Sequence, residues 1–192
     1  YESEDDIGSE KMNFLFILSC IGDIIINILT SLVIPVLIIS KGEISMKIFA
    51  VSFFGHRQVD DPFLIERQLE SIIRELLLTK EYVEFLVGRD GEFDQLVSST
   101  VRRCKRTIRD DNSSLVLVLP YMTAEYRNNE ESFHEYYDEI EICLESAEKH
   151  FKSAHQVRNR SMVDRSDLVI FCIEHNSGGA YQTMQYAKKA GA

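Results

Sequence analysis

The chain is short of positive charge, of clustered cysteine and histidine, and of repeats. Against 31 acidic residues it has 21 lysines and arginines, a net charge of −10. That balance excludes a broadly basic surface for nucleic acid or anionic membrane, though not a local basic pocket. Cys20, Cys104, Cys143 and Cys172 show no C-x-x-C spacing, and His56, His134, His150, His155 and His175 are scattered. No metal centre is expected from this pattern; free thiols in a reducing compartment are the plain reading. Residues after 46 contain neither an internal repeat nor a low-complexity linker. The 192 residues suffice for one domain with a sizeable core.

What is present first is a long apolar run. Tyr1 to Glu10 is acidic and reads as disordered. Asn13 to Ser40 follows with Asp23 as its one charge, long enough for a transmembrane helix. Lys41 and Lys47 come next, so a spanning helix would make this a single-pass inner-membrane protein with a cytoplasmic domain. A second reading competes. The run is rich in Ile, Asn, Phe and Leu, as translated A/T-rich noncoding DNA is, and Lys41-Gly42-Glu43 can be encoded with a bacterial ribosome-binding sequence upstream of Met46. Met46 is then the start, residues 1–45 are upstream read-through, and the protein is cytoplasmic. A cleavable signal peptide fits poorly, because the run is long and lacks a clear small-residue cleavage site. The chain begins at Tyr1 and stops at Ala192 inside an AKKAGA run, so both ends are expected to be cut. The division expected is residues 1–45 and a domain over 46–192. Seven acidic and two basic residues lie in the first part, leaving 24 and 19 in the second, a net of −5.

Within 46–192, four apolar runs read as strands: Lys47 to Phe54, Tyr82 to Val87, Leu115 to Leu119 and Leu168 to Ile173. Asp60 or Asp61 caps a helix with Pro62 in its first turn and an apolar face of Ile65, Leu69, Ile72, Ile73 and Leu76. Phe93, Val97, Val101 and Cys104 mark a second helix. Phe133, Tyr137, Ile140, Leu144, Ala147 and Phe151 recur at helical spacing and predict one long helix. The acidic residues from Glu130 to Glu148 would be its solvated face. Strands alternating with helices predict an α/β fold, a parallel sheet with helices on both faces.

The stretch Arg158 to Ala187 organises the chain. It reads as a short helix, a buried strand, a loop carrying Gly178-Gly179, and a second helix. A helix N-terminus presents unpaired N–H groups and the positive end of the dipole, and paired glycines let an anion approach the backbone. Arg158 and Arg160 could add charge-assisted hydrogen bonds. A simple turn with solvated arginines explains the same residues.

The order Arg158-Asn159, Met162-Val163, Ser166-Asp167, Gly178 to Ala180, Thr183 and Tyr186-Ala187 resembles the signature of YpsA-like proteins. These form a branch of the SLOG superfamily, a Rossmann-like group that includes the Lonely-guy phosphoribohydrolases and DNA processing protein A. Gly55-His56-Arg57 is similar to the family's T-G-H-R, with Phe54 in place of threonine. Gly88 to Asp94 resembles its G-G-A-x-G-F-D loop, matching at Gly88, Gly91, Phe93 and Asp94 and departing at Arg89 and Asp90, which would narrow or redirect the pocket. The resemblance spans nearly all of 47–191. It implies a Rossmann-like three-layer fold whose last strand lies beyond this chain.

The resemblance also implies a site for a nucleotide or nucleotide-derived small molecule over the strand C-termini. Gly178 and Gly179 would take phosphate with Thr183 nearby; Arg158 and Asn159 would meet phosphate or ribose. Gly55, His56 and Arg57 would close the other side, with the Gly88 to Gly91 loop beside them. Asp94 would bind ribose hydroxyls, or else serve as an N-terminal helix charge. No catalytic residue, resident cofactor or metal is assigned. The expectation is a sensor whose ligand changes a contact with a protein partner or a second copy. The alternative is a nucleotide N-glycosidase, as in the Lonely-guy enzymes. Those place a glutamate where this chain has Gln185, and an amide cannot supply the charge. Glu174 is on the neighbouring loop. Single-stranded DNA binding ranks third, since it needs a basic groove and the domain is acidic. Nucleic acid is not the expected partner, and a membrane enters only if residues 13–40 are a real span.

Overall fold

A computed structural model describes residues 13–17, 46–147 and 150–190. Four apolar runs become strands with both faces covered: β2 (Ile48–Gly55), β3 (Tyr82–Val87), β4 (Ser113–Leu119) and β6 (Leu168–Cys172). Runs without polar alternation must be shielded on both sides, and parallel sheets do this. Among the described residues, two further strands, β1 (Asn13–Ile17) and β5 (Glu139–Ile142), join them in a six-stranded sheet in the order β1-β6-β2-β3-β4-β5, parallel at every pairing. The fold is a Rossmann-like three-layer α/β arrangement.

Side chains alternate between the two faces of the sheet. Val51, Phe53, Phe85, Leu115 and Leu117 face α1 (Pro62–Thr79) and α2 (Glu92–Thr107). Ala50, Phe54, Leu86, Val116, Val169 and Phe171 face α6 (Phe151–Asp164) and α7 (Gly178–Ala190). The Asp61 carboxylate caps α1 by accepting from the Leu64 N–H at 3.0 Å, with Pro62 beginning the helix. Ile65, Leu69 and Ile73 of α1 are fully buried, each contributing on the order of 1.5–3 kcal/mol by leaving water. Glu92 and Asp94 at the start of α2, with Lys105 and Arg106 at its end, complement the helix dipole.

One expectation is overturned. Residues 133–151 do not form a long helix. The chain makes α3 (Ala124–Asn128) and α4 (Glu130–Tyr136), then β5, then α5 (Leu144–Ala147), before α6 begins at Phe151. Asp138 is the reason. Its N–H donates to the Leu115 carbonyl at 3.0 Å, and its carboxylate accepts from the Leu115 N–H at 2.6 Å. The same oxygen takes the buried Lys105 Nζ at 2.5 Å, while Nζ also donates to the Ser113 carbonyl at 2.9 Å. The chain is thereby caught on the edge of β4. Glu139, Ile140, Glu141 and Ile142 then alternate with a period of two, which suits an edge strand. The helix ahead of β6 is also longer than expected, with 14 residues.

Asn13–Ile17 open the apolar run and pair with β6 in parallel. The remainder of that run, within residues 18–45, lies outside the described residues, as does the acidic start. No described helix is long and apolar enough to cross a membrane.

Ser166 and Asp167 set the register between β2 and β6. The Asp167 carboxylate accepts from the Ala50 N–H at 2.8 Å, and the Asp167 N–H donates to the Ala50 carbonyl at 2.9 Å. The Ser52 and Ser166 hydroxyls meet at 2.5 Å, and both donate or lie within bonding distance of the Met162 carbonyl, at 3.1 and 2.7 Å.

Candidate functional site

From β2 the sheet grows outward through β3, β4 and β5, and then the chain returns to the other side of β2 at β6. The loops after β2 and β6 therefore leave in opposite directions. A crevice opens between such loops at the strand C-termini.

His56 bridges this crevice. Its Nε2 accepts the His175 backbone N–H at 3.1 Å, and the two imidazole rings lie 5.2 Å apart. Gly178 has φ +86°, a left-handed conformation that favours glycine. A Cβ there would stand 3.9 Å from His56 Nδ1. At Gly179 a Cβ would meet nothing within 4 Å, so the first turn of α7 opens onto free space. That turn contains no acidic residue, and its leading N–H groups have no partner within the helix.

The β3–α2 loop forms the next wall. A Cβ on Gly91 would lie 2.8 Å from Arg57 Cα, and the Glu92 N–H donates to the Arg57 carbonyl at 2.9 Å, so this loop is clasped to exposed Arg57. Gly88 has a similar function for a side chain: its Cβ would stand 2.8 Å from Arg158 Nη1 and 3.0 Å from Asp94 Oδ2. Gly55 differs. A Cβ there would be 2.3 Å from Phe93 Cγ, so its glycine is required by core packing.

Arg158 is buried beneath the loop, 5% exposed. Nη1 donates to the Val118 carbonyl at 2.9 Å and Nη2 to Asp90 Oδ2 at 3.1 Å, while Nε is buried without a partner. His155, one turn earlier on α6, brings Nδ1 to 3.0 Å from the same Asp90 oxygen. This bond from His155 and the charges of Arg158, His155 and Arg57 hold the Asp90 carboxyl below its ordinary range, against the cost of burial. Asp94 goes the other way. Burial pushes its carboxyl up to about 6, Asp90 adds to the rise, and Arg158 with the Asp90 and Gly91 N–H groups opposes it. Asp94 Oδ2 accepts the Asp90 N–H at 2.9 Å.

The remaining predicted residues sit one layer back. Asn159 Nδ2 donates to Thr183 Oγ1 at 3.0 Å, and Thr183 Oγ1 donates to the Gly179 carbonyl at 2.9 Å. Thr183 is buried, so this pair braces the glycine turn against α6. Arg160 turns away, with its guanidinium 5.2 Å from the Tyr186 ring. Arg89 also swings out, donating to Glu125 at 2.9 Å and lying 4.4 Å from the Phe133 ring. Gln185 lies partly buried on α7.

The crevice thus joins Gly55, His56, Arg57, Gly88, Gly91, Asp94, Arg158, Gly178 and Gly179, with Asn159 and Thr183 in support. Beside them lie His155 and His175, which sequence reasoning did not single out, Asp90, expected only to reshape the pocket, and Glu174, placed only on the neighbouring loop. Glu174 Oε1 accepts the Asp60 N–H at 3.2 Å, and its Oε2 is buried without a partner. The three-residue interval between His155 and Arg158 is a signal that could have found His155, because it puts both on one helix face. No group of metal-ligating side chains occurs among the described residues.

No family model and no curated protein matches the chain. Among solved structures, DNA processing protein A from Helicobacter pylori, studied for its single-stranded DNA binding mode, is similar at 18% identity and a TM-score of 0.49. The match covers 73% of this chain and 62% of that one, so this chain spans less than two thirds of the neighbour's length.

Proposed function

We propose that this is a YpsA-like SLOG domain that binds a nucleotide or nucleotide-derived small molecule at the crevice between β2 and β6, without catalysis. The start of α7 carries the reading. Gly178 turns the chain with φ +86°, Gly179 leaves open space beside the leading N–H groups, and the first turn itself holds no acidic residue. The His56 ring lies alongside, and exposed Arg57 follows it against the β3–α2 loop. Such a site takes an anionic group at the helix end and the rest of the ligand along the β3–α2 loop. Binding would order the loops around His56 and His175 and alter a contact with a protein partner or a second copy.

Thermal shift of the full chain against nucleoside monophosphates, ADP-ribose, NAD and cyclic nucleotides tests this. A specific ligand raises the midpoint with its concentration. Gly179→Glu adds a carboxylate where there is room for a side chain, so it should leave the fold intact and remove the shift. Gly178→Ala should instead cost about 1 kcal/mol or more in stability through its backbone conformation. A shift unchanged in Gly179→Glu, or none with any compound, counts against the proposal.

N-glycosidic bond cleavage is the second reading. One observation favours it: Asp94, buried under the β3–α2 loop, carries a carboxyl raised to about 6. Gln185 argues the other way. Base release by Gln185→Glu but not by the native chain would support a pocket that lacks only its carboxylate.

A further inference from the structure

We infer that Asp90 is a built-in counter-anion for Arg158, closing that arginine to external anions and setting the charge selectivity of the crevice. The inference rests on the ligand reading above and names what its second half accepts. Arg158 and His155 both converge on one oxygen, Asp90 Oδ2, at 3.1 and 3.0 Å. A phosphate or carboxylate oxygen approaching Arg158 from the loop side would need that position. Gly88 has already removed the side chain that would otherwise block the guanidinium, since a Cβ there would lie 2.8 Å from Nη1. Arg158 Nε is buried with no acceptor, so the guanidinium is only partly satisfied by the carboxylate that holds it.

The Asp90 side chain is 45% exposed, whereas that of Arg158 is 6% exposed. The carboxylate is therefore the solvent-facing member of the pair and the arginine the buried one. Asp90 also stays ionised at neutral pH, because its neighbours hold its carboxyl low. A like charge brought against it is repelled. A sugar hydroxyl can donate to it. The crevice should thus accept one anionic group, at α7, and an uncharged hydroxyl-bearing portion near Asp90. A ligand with a second phosphate at that end is disfavoured.

Asp90→Asn tests this with inorganic phosphate and pyrophosphate as probes, measured by calorimetry on the full chain. The expected result is binding of pyrophosphate about tenfold or more tighter than in the native chain, from loss of the repulsion. The Arg158 Nε–Hε resonance should move on titration in Asp90→Asn and stay still in the native chain. Asp90→Ser repeats the test with a second small polar replacement. Affinities within about twofold of the native chain, or a gain in which the Arg158 resonance does not move, overturn the inference. Failure here is separable from failure of the α7 reading, which Gly179→Glu tests on nucleotide binding in the native Asp90 background.

Discussion

Gly55, at the end of β2, lies hard against Phe93 of α2: a Cβ on Gly55 would overlap the Phe93 ring, at 2.3 Å from Cγ and 2.4 Å from Cδ1. Gly55→Ala must therefore push a fully buried ring off its seat. It should cost about 1–3 kcal/mol, read from urea unfolding. Combining it with Phe93→Leu should recover part of that loss, since the two sites share one volume. Strict additivity would show that the ring yields in another direction.

Lys105 and Asp138 join the second helix to the edge of the sheet. Asp138→Asn removes the charge facing a lysine whose side chain is 8% exposed. Stability should fall by about 1.5–3 kcal/mol, a charge-assisted bond in a half-exposed setting. The loss should be local as well as global. Amides of β5 should exchange faster in Asp138→Asn than in the native chain, while those of β2 and β3 hold. Uniform acceleration across the sheet would contradict the anchoring role.

The Asp94 carboxyl gives stability a pH dependence of known sign. Its folded value, about 6, lies above its ordinary 3.8, so the folded state holds this proton more tightly. The contribution is full below about pH 4 and is lost as pH rises through 6. Asp94→Asn escapes that loss. Between pH 5 and pH 8 it should gain on the native chain by about 1.4 kcal/mol. Denaturant midpoints across that range decide it: a constant difference means that Asp94 titrates as an ordinary carboxyl. The depressed Asp90 carboxyl works in the opposite sense, with its stabilisation lost only as the pH falls into the acid range.

Much of the architecture was legible because it follows from local pattern. Apolar runs such as Leu168 to Ile173 have no polar alternation and can only be doubly covered strands. Asp61-Pro62 marks a helix start by the bonds its first turn lacks. Strand β5 was hidden because Phe133, Tyr137, Ile140 and Leu144 happen to repeat at helical spacing. The deciding contact, Asp138 with Leu115, joins residues far apart in the chain.

The site divides in the same way. Its loops announce themselves through glycines, but partners do not. Thr183 is indistinguishable in sequence from a ligand contact, yet its hydroxyl is taken by Asn159 and the Gly179 carbonyl. The tie between Asp90 and Arg158 crosses 68 residues, and no short-range rule foretells it. Ser166 and Asp167 belong to the pattern on which the resemblance rests, yet their bonds go to the backbone and to Ser52, so these two residues register strands.

That registration fixes when the crevice comes into being. The Ala50–Asp167 clasp joins positions 117 residues apart. During synthesis β2, β3 and β4 can meet early, but one flank of β2 stays bare until β6, 117 residues further on at the clasp, has emerged. Contacts so distant in sequence close slowly. A chain released too early would present that bare flank as an open edge, ready to pair with another molecule. Assembly of the binding crevice and protection from aggregation are thus the same late event.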